Sequence, residues 1–196
     1  MAIDYGSVAA WANALVAIFG LGGIFYQARK ARQLNSSNLL LALESKFGEP
    51  SMILARREFA ERIKEHLTSA ENALTGYHPV LAFYDMLAAQ VNRGVLDETL
   101  IWHRFGWRVI RCWAAIAINP THHQKALPAP GSLLDRLRIL ENEPTSYVML
   151  EWLGNRFVKK DIKVNRNGQP LSQEQLYHMV MQYHRQESAL VVGYHQ

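Results

Sequence analysis

From Tyr5 to Ala28 the chain reads YGSVAAWANALVAIFGLGGIFYQA without one charged side chain, and Arg29, Lys30 and Arg32 follow with no acidic residue before Glu44. About 20 residues rising about 1.5 Å each cross a hydrocarbon core of about 30 Å, so this pattern predicts one membrane-spanning helix. A helix also satisfies its own backbone polar groups in lipid. The basic residues lie on the C-terminal flank, whereas the other flank has only Asp4 and the terminal amine. The positive-inside bias then places the N-terminus outside and residues 29–196 in the cytoplasm.

Two other readings compete for the same run. A cleaved signal peptide needs a basic start and a small-residue cleavage site, and here the start is acidic while the apolar stretch ends in aromatic and basic residues. A buried core helix is the second, favoured by Asn13, the glycines and the many alanines, which leave the run only moderately apolar. The small residues carry a further implication. Ala10, Ala14 and Ala17 share one helical stripe with Asn13 beside it, a surface on which neighbouring spanning helices approach closely and share an amide hydrogen bond. A homo-oligomer is the expectation.

Beyond the basic turn, helical spacing dominates. Leu39, Leu40, Leu43 and Phe47 carry a helix to Gly48, and Pro50 opens a second. In that helix Arg57 pairs by spacing with Glu61 and Glu58 with Arg62, so the run from Arg56 to Glu65 reads as solvent-facing surface. A polar stretch from Ser69 to His78 leads to a third helix from Pro79 to Gly94. Gly94 as left-handed cap, Asp97 as N-cap, Glu98 in the first turn and Leu96 facing Ile101 form a complete joint to a fourth helix, which runs to Asn119 before Pro120. Trp102, Phe105, Trp107, Trp113 and Ile116 give that helix aromatic surface on several sides and a central place in the core.

Residues 120–131 read as loop, and short helices are expected at Ser132–Asn142 and Thr145–Val158. The stretch KVNRNGQP from Lys163 is polar and turn-rich, and Ser172 with Gln175 forms a capping box for a last helix to about Val192. Its stripe of Leu176, Met179, Val180, Tyr183, Leu190 and Val191 must dock on its own domain or on a protein partner. The expected fold is therefore all-α, a transmembrane helix continuing into a cytoplasmic bundle of about six helices. It divides into an anchor with its basic segment (1–33), a helical domain (34–160), and a linker with a C-terminal amphipathic helix (161–196).

Composition narrows the chemistry. The chain has 196 residues, a net charge of +4 and a single cysteine, so it has no intramolecular disulfide, and Cys112 reads as a small core residue. Three of the positive charges flank the membrane run, and the remainder does not call for a nucleic-acid partner. Arg156, Lys159, Lys160, Lys163 and Arg166 nevertheless form a local cluster, either an ordinary solvated face or a contact for phosphate and lipid headgroups.

No GxSxG elbow, HExxH pair, P-loop or cysteine cluster is present, and Gly20, Gly22 and Gly23 lack the spacing of a phosphate loop. His122 with His123, or His178 with Glu174, falls short of three convergent metal ligands, so neither a metal nor a cofactor is expected. A ribonuclease of the helical, membrane-tethered kind requires an Arg and a His separated by four to six intervening residues. Arg62 to His66 is too short and Arg111 to His122 too long.

The order of segments resembles a family of uncharacterised bacterial proteins, a domain of unknown function behind one N-terminal membrane helix. The matching tracts are ARKARQ, SSNLLLALESKF, SMILARREFAERI, LAFYDMLAAQVNRGVLDETLIWHRFGWRVIRCW and TSYVMLEWL, within residues 6–158; the last helix has no counterpart. The resemblance implies a helical fold and a bacterial inner-membrane location, and brings no catalytic residues. The expected role is non-enzymatic assembly or partner binding, in its sharper form a membrane-acting defence effector. The alternatives are a membrane-tethered enzyme or binder acting on nucleic acid or headgroups, and a small-ligand sensor with an aromatic pocket at Tyr84, Trp102 and Trp107.

Overall fold

The computed structural model describes residues 26–27, 30–31, 34–68, 79–118, 128, 131–140 and 142–190, with the side chains of 66–68 and 173 excepted. Chain packing divides it into two compact units, Met1–Ala42 and Leu43–Gln196. In the first unit the described residues are helical, and Tyr26 and Lys30 are exposed. Ala10, Asn13, Ala14, Ala17, Arg29 and Arg32, and the expected spanning run apart from Tyr26 and Gln27, lie outside the described residues. Among the described residues no helix is long and apolar enough to cross a membrane.

Seven helices and no strand occur among the described residues. They are α1 (34–48), α2 (Pro50–Thr68), α3 (Pro79–Asn92), α4 (Glu98–Ala117), α5 (Leu133–Leu140), α6 (Val148–Asn165) and α7 (Gln173–Ser188). The second unit begins at Leu43, within α1. The α3–α4 joint forms as its sequence dictates. Gly94 takes φ +68, its N–H donates to Val91 O and that of Val95 to Gln90 O, closing the left-handed cap. Asp97 Oδ1 then accepts from Leu100 N at 2.9 Å, and Leu96 and Ile101 are both buried.

The core sits where α3 and α4 pack against α6. Every residue of α4 from Cys112 to Ala117 is buried, so this end of the helix has no polar face and is enclosed by its neighbours. Trp113 presses on Gly154 of α6: a Cβ there would stand 2.7 Å from Trp113 Cδ2, so only glycine admits the indole. Trp107 departs from the expected core and is 49% exposed. Two positions after Phe105, it points to the other side of α4, where Arg111 stacks on its ring at 5.2 Å.

Helix α6 starts later and ends later than its sequence suggests. Residues 144–147 form turns, and the free N–H of Leu150 is taken at 2.8 Å by Asp85 of α3, a cap supplied from a distant part of the chain. At the other end the polar residues from Lys163 continue the helix to Asn165. Buried Asp161 accepts from Asn165 at 2.6 Å and from Arg166 at 2.7 Å, and cations favour a helix C-terminus. The last helix begins where expected, with the Ser172–Gln175 capping box complete, and docks on α2 and α4 of its own chain.

Candidate functional site

On α6 the buried positions Leu150, Leu153, Gly154, Phe157 and Asp161 recur at helical spacing and turn one side to the core. The opposite side then carries Val148, Trp152, Arg156, Lys159 and Lys163 as one outward stripe, with Lys160 on its flank. Four of the five clustered cations thus share a surface. Arg166 does not: it folds back onto Asp161, and its charge is neutralised there.

The stripe is aromatic as well as basic. Arg156 lies over the Trp152 ring at 5.7 Å and pairs with Glu98 of α4 at 2.7 Å, while the Lys160 ammonium sits 5.1 Å from the centre of the Trp102 ring. Glu151, also on α6, is engaged by Arg138 at 2.8 Å, and buried Asp161 is engaged by Arg166. Lys159 and Lys163 are exposed and have no ion-pair partner among the described residues. An open groove of about 420 Å³ runs beside Lys159, lined by Val148, Glu151, Trp152, Asn155, Arg156 and Lys159. Such a face offers free ammonium groups next to an indole and suits an anionic group with an apolar neighbour.

The aromatic pocket expected around Tyr84, Trp102 and Trp107 does not form as one site. Tyr84 is fully buried in the core, whereas Trp102 and Trp107 line a surface pocket of about 160 Å³ with His103, Ile110 and Asn165. His122 and His123 lie outside the described residues, and His178 bonds Gln182 at 2.9 Å. Among the described residues no group of three potential metal ligands converges.

A second polar cluster shows only in the fold. Arg56, expected on the solvent face of α2, is buried, and its Nε donates to Glu187 of α7 at 2.6 Å, with the two side chains 8% and 7% exposed. Its guanidinium lies 3.9 Å from the centre of the Phe47 ring and also donates to Phe47 O at 3.3 Å. The correction has a simple cause: Phe59, Ala60 and Ile63 are buried on the side of α2 that includes position 56, at spacings of three, four and seven. Beside the pair, burial raises the phenols of Tyr84 and Tyr183 well above their ordinary range, and the Cys112 and Glu187 charges add to this. Burial likewise raises the Cys112 thiol, with Glu187 second, so this cysteine is a neutral core residue. Arg111 extends the cluster to the surface, donating to Gln182 and Gln186 of α7.

These features define an all-helical domain with a basic, tryptophan-bearing outer face and a last helix pinned by a buried ion pair. The chain belongs to the family described as Domain of unknown function (DUF4760), whose model matches residues 7–157. No curated protein and no solved structure matches the chain.

Proposed function

We propose that this chain is a bacterial inner-membrane protein held by residues 5–28, with its N-terminus outside and a cytoplasmic helical domain that docks on anionic phosphate headgroups through α6. The observation that carries the reading is the pair of exposed, unpartnered ammonium groups of Lys159 and Lys163 on the stripe that holds Trp152. Indole and ammonium side chains on one helix face are the composition of an interfacial surface. A basic side chain near an anionic bilayer contributes about 1 kcal/mol, so Lys159, Lys160 and Lys163 together give about 3 kcal/mol, roughly a hundredfold in local affinity. That is weak for a free protein and ample for one already tethered, because a tether makes the second contact intramolecular. The role is binding and positioning, with the cytoplasmic domain held for assembly with other proteins.

The test is amine-reactive labelling of the full chain in nanodiscs of neutral or of partly anionic lipid. Lys159 and Lys163 are expected to be protected severalfold in anionic discs at low salt and released at high salt, with exposed Lys46 as the unchanged reference. Equal labelling in both lipids defeats the proposal. Protection by added RNA in neutral discs would instead favour the nucleic-acid reading.

A further inference from the structure

Arg156 is paired through only part of its guanidinium. Its Nε donates to Glu98 Oε2 at 2.7 Å, and its two terminal nitrogens have no hydrogen-bond partner among the described residues. The side chain stays 54% exposed, against 28% for Glu98. Glu98 lies in the first turn of α4, where the helix dipole favours a carboxylate, so it is a fixed anchor. With Nε held there and the centre of the Trp152 ring 5.7 Å from the guanidinium carbon, the planar fork is oriented before any ligand arrives.

The groove beside it completes a set of donors. Arg156, Lys159 and Asn155 line it together, and neither Lys159 nor Asn155 has a hydrogen-bond or ion-pair partner among the described residues. Glu151 also lines it, and a free carboxylate there would repel an anion. That charge is already matched, because Arg138 binds Glu151 Oε2 at 2.8 Å and is itself fixed by donating from Nε to Ser146 O at 3.0 Å. Val148 and Trp152 form the apolar part of the lining. An arginine fork, an ammonium and an amide in one groove call for several acceptor oxygens and more than one negative charge. A terminal phosphate supplies three such oxygens and is close to a dianion above its second pKa of about 6, whereas a phosphodiester has fewer free oxygens and a single charge.

We infer that this groove is the seat of a terminal phosphate dianion, the headgroup of a phosphate-monoester lipid, held by the Arg156 fork and by Lys159 with Trp152 against its apolar side. The inference rests on the headgroup reading of α6 and sharpens it, from attraction by charge to one seat that tells a monoester from a diester. Lys163, one turn further along α6, does not line the groove and responds to charge alone.

The test uses the full chain in nanodiscs at about pH 8, where a phosphate monoester is dianionic. Discs of neutral phosphatidylcholine are compared with discs containing phosphatidic acid, a monoester, or phosphatidylglycerol, a diester, the two anionic mixtures being adjusted to one surface potential. Amine labelling of Lys159 is expected to be suppressed about tenfold more by phosphatidic acid than by phosphatidylglycerol, as about one extra charge-assisted hydrogen bond would give, while Lys163 is protected alike by both. Arg156→Lys keeps the charge on an exposed side chain but loses the fork, and should bring Lys159 to the phosphatidylglycerol level in both lipids. Equal protection of Lys159 by the two anionic lipids, or a preference that survives Arg156→Lys, overturns the inference and leaves the headgroup reading standing. No protection of either lysine in any anionic disc overturns both. Millimolar inorganic phosphate added to neutral discs should protect neither lysine; protection of Lys159 equal to that by phosphatidic acid would put a free phosphate in the groove and overturn the lipid as its occupant.

Discussion

Gly154 shows how one missing methyl group decides the packing of two helices. Trp113 occupies the space a Cβ would need, and both residues are fully enclosed. Gly154→Ala should therefore destabilise the fold by about 1–3 kcal/mol through overpacking, despite the better helix propensity of alanine, and the denaturant midpoint would show it. An unchanged midpoint would mean that the indole moves aside at no cost. Arg56 poses a different problem, since an ion pair removed from water is costly unless both partners remain. Truncating Arg56 to Ala leaves the Glu187 carboxylate buried alone and should cost about 3–5 kcal/mol, or as much as α7 docking contributes if that helix simply lifts off. The double change Arg56→Met with Glu187→Leu should recover most of that loss; a double variant as unstable as the single one would show that the guanidinium also matters through its stacking on Phe47.

The helices differ in how far their own residues announce them. The α3–α4 joint was readable because all of its signals lie within a dozen positions, from Gln90 to Ile101, and none needs a distant partner. Asp97→Ala should accordingly cost about 0.5–2 kcal/mol, with exchange of the first α4 amides speeding up before the rest of the helix is affected. Helix α6 was harder. Its start depends on Asp85, 65 positions away, and its end on a buried Asp161 that no local pattern distinguishes from a surface acid. The basic cluster itself was visible, but its sorting was not: helical spacing gathers Arg156, Lys159, Lys160 and Lys163, whereas only the tertiary fold shows Glu98 and Asp161 neutralising Arg156 and Arg166. Arg56 was misread for the same reason. Among Arg57, Glu58, Glu61 and Arg62 it looks like one more surface charge, and the carboxylate that buries it lies 131 residues further on.

Taken together, the second unit is held by a largely aromatic and aliphatic interior with a few neutral acids sealed inside, and this makes its stability depend on alkaline pH. Tyr84, Tyr183 and Cys112 all have raised pKa values, first because burial excludes water. In the unfolded chain the thiol loses its proton near about 8.5 and the phenols near about 10. Above those values the folded state keeps protons that the unfolded state releases, so their contribution is whole below about pH 8 and falls as pH rises. The expected slope is about 1.4 kcal/mol per pH unit for the thiol between about pH 9 and 10, steepening when the phenols join it. Denaturant titrations at pH 7, 9 and 10.5 would reveal it, and Cys112→Ala should flatten the first part alone. A flat profile in the native chain would mean that these groups gain water when ionised.

The buried guanidinium of α2 has one more consequence, which belongs to the order of synthesis. Translation completes α2, α3 and α4 before α7 exists, so the surface that α7 later covers is formed while still open. With Phe59 and Ile63 alone that surface would be adhesive to any nascent apolar segment nearby. A guanidinium left uncovered holds water, so Arg56 should make that surface less adhesive until Glu187 pairs with it.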